Sequence, residues 1–485
     1  MNESIWSETL SQINKDIKKE NKSLRNRLQS IRYDCGFLET EVMKRFPKYP
    51  VIPNERCGVW YCNPKNFTQT SYFKSTDGHT SQWDFSTRRL NFHLFPTLQE
   101  HSGIVIVDST RRGKKIPDAL SKTVPIWCAV LNYIMLKSKG KEINIDEILF
   151  VPPATVSKTE YSSIAKKLPE LVEKLENLGV IDGRELFDRF GGKILRPIWV
   201  FPGSSILRAS VDPFTGETTQ TEWAPSENDN IIPLILCTVS YQAQDGMDKR
   251  NGFTYVQGAA DDHELWSNGL DAGMFWDNYD YLTDPDKTDA QLEEFVDQLI
   301  VDKKLKNASL TDTLDDVFES RDDITTELSL GEIRPNLEIN DALYDAMTKE
   351  YRLCVILSDN VTLKLKEKGK NDAVKVYKLQ SGSKKSSKEL RTQITQIFDT
   401  IQEQLIKSKG RVLICCNTGT DMSVGVLLAV LCKNYSMEWK FEPDVEHAIT
   451  KTVVKKHLSR LITSLKGRNV NPSRATLNSI NSFLM

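Results

Sequence analysis

The stretch Ile104–Trp127, IVIVDSTRRGKKIPDALSKTVPIW, sets the reading of the fold. Ile104 to Val107 are four β-branched residues in a row, and so short and unbroken an apolar run predicts a buried strand. Asp108 closes it. Ser109, Thr110, Arg111, Arg112, Gly113, Lys114 and Lys115 follow: two hydroxyls, four cations and one glycine in seven residues. Open α/β sheets take ligands outside the carboxyl ends of their strands, so this loop stands where a site belongs. Arginine forks and lysine ammonium groups suit phosphate oxygens, and a glycine lets backbone come close to a ligand. The functional reading is an anion clamp and the bland one a solvated turn. It is not a Walker loop, because the G-x-x-x-x-G-K-S/T spacing is absent. Ala119–Leu136 predicts a helix behind the loop, with Pro125 leaving its boundaries open.

A chain of 485 residues predicts two or three domains, each able to bury a core. No run of 18 apolar residues occurs, so no membrane span is expected, and the first residues do not read as a secretory signal. The nine cysteines are scattered and lack zinc spacing, which predicts reduced thiols in a cytosolic setting. Net charge is near zero but segregated. Lys451–Met485 holds seven Lys or Arg and no acid, whereas Asp271–Asp323 holds sixteen acids against five bases. Lys455, Lys456 and Arg460 in the basic tail are candidate contacts to RNA phosphates, the alternative being a solvated helix face.

Ile5–Ile31 has apolar residues at helical spacing and predicts one amphipathic helix that docks on the N-terminal domain. Cys57–Cys62 reads as strand-like. Tyr72–Leu94 is dense in ligand-type groups, namely Lys74, Ser75, Thr76, Asp77, Gly78, His79, Arg88 and Arg89. His79 has the pKa range of a general base, although a lone histidine is more often structural. Further on, Ile148–Val151, Arg196–Phe201 and Ile231–Tyr241 predict strands. Ser157–Leu178 predicts a helix, with Ser157 and Glu160 as a capping box. Alternating strands and helices indicate an α/β domain. In Tyr255–Trp276, Gly258, Ala259 and Ala260 leave the backbone open before Asp261 and Asp262. One of these acids can accept a hydroxyl proton, or both can cap a helix N-terminus.

Asp284–Leu337 reads as an acidic interdomain region with short helices, and Ser381–Lys388 as a mobile basic loop. The last 150 residues or so repeat an α/β pattern. Strand Arg411–Cys415 leads into Cys416-Asn417-Thr418-Gly419-Thr420-Asp421-Met422-Ser423 and a helix. Strand, cysteine loop and helix resemble the dual-specificity phosphatase fold, whose H-C-x-x-x-x-x-R-S/T loop cradles phosphate on backbone N–H groups. Here Cys415 replaces the histidine and Met422 the arginine. Without that guanidinium, phosphatase turnover is not expected; anion binding or a vestigial loop remains.

The opening stretch, CGVWYC at Cys57–Cys62, YFKSTDGHTSQWDFSTRRLNFHL at Tyr72–Leu94, YVQGAADDHELWSNGL at Tyr255–Leu270 and CCNTGTDMSVGVLLAVL at Cys415–Leu431 together resemble one family. This is the initiator tRNA phosphoribosyl transferase family of fungi and plants. The resemblance implies transfer of a ribosyl phosphate from phosphoribosyl pyrophosphate to the 2′-hydroxyl of adenosine 64 in cytoplasmic initiator methionine tRNA. It implies a pentosyltransferase acting as a monomer in the cytoplasm. A diphosphate donor implies Mg²⁺, with Asp261 and Asp262 as candidate ligands. Under this reading Asp108, Asp261, Asp262 and His79 are candidates for catalysis. Lys74, Ser75, Thr76, Arg88, Arg89 and Ser109–Lys115 are candidates for the donor. The expected architecture is an N-terminal catalytic α/β domain (1–283), an acidic helical linker (284–339) and a phosphatase-like α/β domain (340–485). The rival is a phosphatase-like pseudoenzyme that binds phosphorylated protein or phosphoinositide.

Overall fold

The computed structural model describes residues 21–74, 83–86, 89–208, 210–211, 214–219, 222–226, 228–306, 314–365, 373–379, 384–407, 410–443, 448–465, 470 and 472–485. They fall into two compact units. The first comprises Met1–Ser86, Leu94–Lys174 and Ile181–Val301; the second comprises Thr87–His93, Leu175–Val180 and Asp302–Met485.

The first unit opens with α1 (Leu24–Phe37), whose N-cap Ser23 accepts from the Asn26 N–H. Leu24, Leu28 and Ile31 recur at helical spacing and are buried, as the periodicity predicts, and the helix runs on past the expected end at Ile31 to bury Cys35. The part of the predicted helix before Asn21 lies outside the described residues. Next come β1 (Val51–Pro53) and β2 (Ile104–Asp108). A π-helical turn, Ala119–Thr123, runs into α2 (Val124–Ser138), and Pro125 lies inside this continuous helix, where the Leu120 carbonyl that its missing N–H leaves free accepts from Trp199 Nε1. Ala119–Ser138 is long and apolar enough to cross a membrane by length and composition, but it is mostly buried inside this unit. Then follow α3 (Lys158–Glu176), α4 (Gly183–Arg189), β3 (Ile194–Val200) and β4 (Ile231–Thr238). A hairpin of β5 (Met247–Arg250) and β6 (Phe253–Val256) precedes α5 (Asp289–Lys306).

The main sheet has the order β1-β2-β4-β3, and every pair in it is parallel. Strand β2 is fully buried along its length, as its apolar run predicts. Each of its four apolar side chains contributes about 1.5–3 kcal/mol relative to exposure. The register pairs Pro53 with Val107 and Asp108 with Thr238, so the carboxyl ends of three neighbouring strands finish level.

Three local expectations change. Cys57–Cys62 is not a strand but contains a 3-10 turn, Gly58–Trp60. A Cβ on Gly58 would lie 2.3 Å from the Val107 carbonyl oxygen, so the chain can tuck against β2 there only as glycine. Ile148–Val151 is irregular and follows a 3-10 turn at Ile145–Glu147, with Pro152-Pro153 blocking extension. The capping box is half made. The Ser157 hydroxyl accepts from the Glu160 N–H, but the Glu160 carboxylate takes Trp83 Nε1 and Lys122 instead.

The second unit is built from β7 (Phe318–Asp323), β8 (Leu328–Ile333), α6 (Asp341–Glu350), β9 (Leu353–Leu357), β10 (Val374–Tyr377), α7 (Lys384–Lys407), β11 (Val412–Cys416), α8 (Met422–Asn434), α9 (Lys451–Ser464) and α10 (Arg474–Leu484). Its sheet runs β10-β9-β11-β8-β7, parallel except for the edge strand β7. Residues expected as linker are therefore structural. Helix α5 places Leu292 and Val296 in the core of the first unit, and β7 and β8 belong to the second sheet. Part of the expected basic loop is helix, since α7 begins at Lys384.

Candidate active site

Asn54 follows β1, Asp108 ends β2, and Ser240 follows β4. A fourth segment, Gln257–Asp262, comes off the hairpin. The Ser240 hydroxyl bonds both the N–H and the C=O of Thr110. Gln257 Oε1 accepts from the Gly113 N–H at 2.8 Å while its amide donates to the Lys114 carbonyl. Gly113 lies at φ +72°, and a Cβ there would meet the Gln244 carbonyl oxygen at 2.8 Å. Gly258, at φ +65°, is closed against the Thr110 carbonyl in the same way. The glycines thus bring loop against loop, where the sequence pattern predicts backbone against ligand.

Asp108 is fully buried and saturated. Its Oδ1 accepts from Cys57 Sγ at 2.9 Å, the Ser109 N–H at 2.8 Å and Arg56 Nη2 at 3.2 Å. Its Oδ2 accepts from Asn54 Nδ2 at 2.9 Å and Arg56 Nε at 3.5 Å. Asp108 therefore has no oxygen to offer a substrate hydroxyl or a metal, and the expectation of a catalytic base there is corrected: it organises the site. Ser109 and Thr110 are buried as well, with Ser109 Oγ 3.2 Å from Cys57 Sγ, so neither hydroxyl faces a ligand. Burial, helped by Asp108 and Asp261 and opposed by Arg56, pushes the Cys57 thiol well up. It is a neutral donor.

Arg56 is the central group that sequence reasoning missed. It bridges Asp108 and Asp261, with Nη1 3.3 Å from Asp261 Oδ1, and also donates to the Ser109 carbonyl at 2.6 Å. Burial works against its charge, but Cys57, Asp108 and Asp261 outweigh that and raise its pKa. Asp261 is almost fully buried between Arg56 and Arg111, whose Nε lies 3.8 Å from Oδ2. Burial raises its pKa despite both guanidinium groups, and Asp108 adds to the rise. Arg111 also pairs with Asp262, and this pair is open to solvent, the side chains being 36% and 52% exposed. Asp262 sits at φ +51° ahead of a single 3-10 turn and makes no capping bond with its side chain. Arg27 completes the cluster. Its guanidinium donates to the Ala259 carbonyl at 2.7 Å and lies over the Trp266 ring. Burial lowers its pKa, with Asp261, Asp262 and Tyr61 opposing.

The other cations of the loop diverge. Lys114 reaches Asp118 at 3.4 Å, Lys115 lies over the Phe201 ring, and Arg112 is exposed at φ +58°. Lys74 is exposed, and its carbonyl accepts from Thr123 Oγ1 at the turn before α2. Arg89 falls in the second unit, whereas the cluster belongs to the first. Ser75, Thr76, Asp77, Gly78, His79 and Arg88 lie outside the described residues. Asp261 and Asp262 are both paired with guanidinium groups, although Asp261 Oδ1 is buried without a hydrogen bond, so a metal ion there would have to displace Arg56 or Arg111. Among the described residues no group of three or more His, Cys, Asp or Glu is placed to bind one.

In the second unit, Cys416 is buried with Sγ 3.1 Å from Ser423 Oγ. Met422, at the arginine position of the phosphatase loop, is turned into the core. Asp421 accepts from the Ser473 N–H at 2.8 Å and from Thr476 Oγ1 at 2.7 Å, tying the loop to the start of α10. Asn417 Nδ2 donates to the Ile333 carbonyl, and the Thr418 hydroxyl accepts from the Thr420 N–H. The Gly419 N–H returns to the Cys416 carbonyl. The loop is held by its own bonds together with those to β8 and the start of α10. On α9, Lys455 is exposed, but Arg460 donates to the carbonyls of Met437 and Glu438 and covers the Trp439 ring. Its expected role at an RNA phosphate gives way to one in fixing that turn.

Fold and site define a two-unit α/β protein, with a cluster of arginines and carboxylates at the carboxyl edge of one parallel sheet and a phosphatase-like second unit without its arginine. Residues 17–301 match the Rit1 N-terminal domain and residues 373–484 the Rit1 DUSP-like domain. The chain belongs to the Rit1 family. It is 57% identical to the tRNA A64-2′-O-ribosylphosphate transferase of Saccharomyces cerevisiae over all of this chain and 96% of that one. It is 32% identical to an uncharacterized protein of Schizosaccharomyces pombe over 95% of this chain and 94% of that one. A leucine-rich-repeat and phosphatase-domain protein of Entamoeba histolytica aligns with 34% of the chain and 90% of its own, at 13% identity and a TM-score of 0.22.

Proposed function

We propose that this protein is a pentosyltransferase that moves a ribosyl phosphate from phosphoribosyl pyrophosphate to the 2′-hydroxyl of adenosine 64 in initiator methionine tRNA. It acts in the cytoplasm and as a monomer. The full-length likeness to the yeast transferase supports the reaction. The observation that carries the site is Arg111, shared between buried Asp261 and exposed Asp262 beside Arg56 and Arg27.

Exposed ion pairs are worth only about 0–1 kcal/mol, so an incoming diphosphate can take Arg111 from Asp262. Charge-assisted bonds from a guanidinium to phosphate oxygens are stronger and can be bidentate. The exchange frees Asp262. The acceptor 2′-oxygen then bonds to C1 of the ribosyl phosphate as the C1–diphosphate bond breaks. The hydroxyl proton passes to the Asp262 carboxylate, and the arginines stabilise the departing charge. Mg²⁺ accompanying the diphosphate would add to the neutralisation of its charge that Arg111, Arg56 and Arg27 provide.

The test is incubation with total tRNA and donor labelled in the ribosyl phosphate. Label on initiator tRNA alone is the expected result. Absence of label, with tight binding of a phosphopeptide or phosphoinositide, would put the pseudoenzyme reading in front.

A further inference from the structure

A cavity of about 690 Å³ opens in the first unit between α1 and the hairpin β5–β6. Its size falls within the roughly 300–1,000 Å³ of small-molecule pockets. Tyr33, Tyr241 and Phe253 supply aromatic walls. The Tyr33 ring lies 4.8 Å from that of Tyr241 and 6.3 Å from that of Phe253, yet Tyr33 remains 38% exposed. The Arg250 guanidinium lies over the rings of Tyr33, Tyr241 and Tyr255 at 5.4–5.9 Å, which holds the cluster in place. Arg32 is exposed at the rim and donates one N–H to the Thr283 carbonyl. Arg25 is committed to the carbonyls of Lys287, Gly252 and Pro285, so it shapes the wall and does not reach out.

A partly exposed aromatic ring beside an exposed guanidinium is a pairing that can take a nucleobase by stacking and its phosphate by charge. Asp286 also lines the cavity, and its carboxylate can accept from the amino group of a base. The cavity also touches the active site through the chain itself. Ser240 bonds the Thr110 backbone in the cation-rich loop, and the next residue, Tyr241, lines the cavity.

We propose that this cavity binds the base of an unpaired or flipped-out nucleotide of the acceptor RNA, stacked on Tyr33 with its phosphate at Arg32. The proposal rests on the reading of the chain as acting on tRNA. It gives the enzyme a hold on RNA separate from the donor site.

The test compares Tyr33→Ala and Tyr33→Trp with the unmodified full-length protein. tRNA affinity, donor KM and ribosyl transfer are measured in parallel, and thermal melts report folding. Loss of one stacked base weakens tRNA binding by about fivefold to 150-fold in Tyr33→Ala. Donor KM stays unchanged, and Tyr33→Trp restores binding because it restores the ring. Ultraviolet crosslinking of bound tRNA should leave a nucleotide adduct on Tyr33, Tyr241 or Phe253. A folded Tyr33→Ala that binds tRNA within twofold of the unmodified protein, with adducts mapping elsewhere, overturns the pocket. Failure of the unmodified protein to transfer label is a separate result that counts against the reaction. Loss of RNA binding in Tyr33→Ala would then still support the pocket.

Discussion

Arg56 holds both carboxylate oxygens of Asp108 from the far side of a strand boundary, Nη2 to Oδ1 at 3.2 Å and Nε to Oδ2 at 3.5 Å. Asp108 ends β2 and Arg56 lies in the turn that follows β1, and the pair is the mechanical centre of the site. Because Arg56 also reaches Asp261, the position of one buried acid depends on the other.

Asp108→Asn is expected to unfold the first unit more easily, not merely to silence it. Each carboxylate oxygen already faces donors, so an amide NH₂ at either place meets another donor. Arg56 would also keep its buried charge with one partner fewer. Breaking a buried pair of this kind costs about 3–5 kcal/mol. Urea denaturation reads the effect as a lower midpoint with the slope unchanged. A stable Asp108→Asn protein that has lost only turnover would return Asp108 to the role of base.

Asp34 offers a pH dependence with a definite sign. It is fully buried, its Oδ1 accepts from Tyr255 Oη at 2.9 Å, and burial raises its pKa well above the carboxylate range. Tyr255 and the Tyr241 backbone only partly offset that. Between the unfolded pKa near 4 and the raised folded value, the native state binds more protons than the unfolded one, so stability falls as pH rises. Asp34→Asn removes this slope. Thermal midpoints taken at intervals from about pH 4 upward should fall more steeply for the unmodified protein than for the variant; equal slopes would show that Asp34 does not carry the effect.

Much of this architecture was legible in the sequence, and the failures have a common cause. The strand at Ile104, its acid terminus and the loop–helix beyond it all depend on local pattern, and the structure contains them. The role of Asp108 does not, because its partners Asn54, Arg56 and Cys57 arrive from about fifty residues upstream. Arg56 stands one residue before the CGVWYC stretch, and nothing local distinguishes a buried, doubly paired arginine from a surface one. Strand β7, FESRDD, resembles a linker because an edge strand carries charge. Cys416 and Met422 were legible as a phosphatase-type loop without its arginine, although the bond from Asp421 to α10 was not.

Cys416→Ser should leave ribosyl transfer within a few-fold of the unmodified protein. The thiol is buried against Ser423, Met422 offers no charge, and Asp421 is occupied by Ser473 and Thr476. Transfer assays with melting controls check this. A trapped phosphocysteine would overturn it.

Lys455→Ala and Lys456→Ala together should weaken tRNA binding. The slope of log affinity against log salt should shrink by about 0.7–0.9 for each phosphate that is no longer neutralised. Arg460→Ala should behave differently, lowering stability through the turn at Met437–Trp439 before it affects the salt slope. A salt series of filter-binding titrations separates the two effects. An unchanged slope in the double variant would mean that α9 does not face RNA.

The exchange of Arg111 between Asp262 and the donor makes a paired prediction. Arg111→Ala loses charge-assisted bonds worth roughly 1.5–3 kcal/mol each. Donor affinity should therefore fall about tenfold to a hundredfold, while tRNA affinity holds. Arg111→Lys should recover only part, because an ammonium cannot replace a planar fork. Asp262→Asn should move the two kinetic constants apart. Removing the competing carboxylate charge leaves Arg111 freer for diphosphate, so donor KM stays level or falls. Losing the proton acceptor lowers kcat by roughly 10²–10⁴-fold. The fall should shrink as pH rises, because a hydroxyl that ionises more readily depends less on a base. Steady-state kinetics of both variants against donor at saturating tRNA check the pair. If Asp262→Asn raises donor KM and leaves kcat unchanged, Asp262 is a binding residue and the proton goes elsewhere.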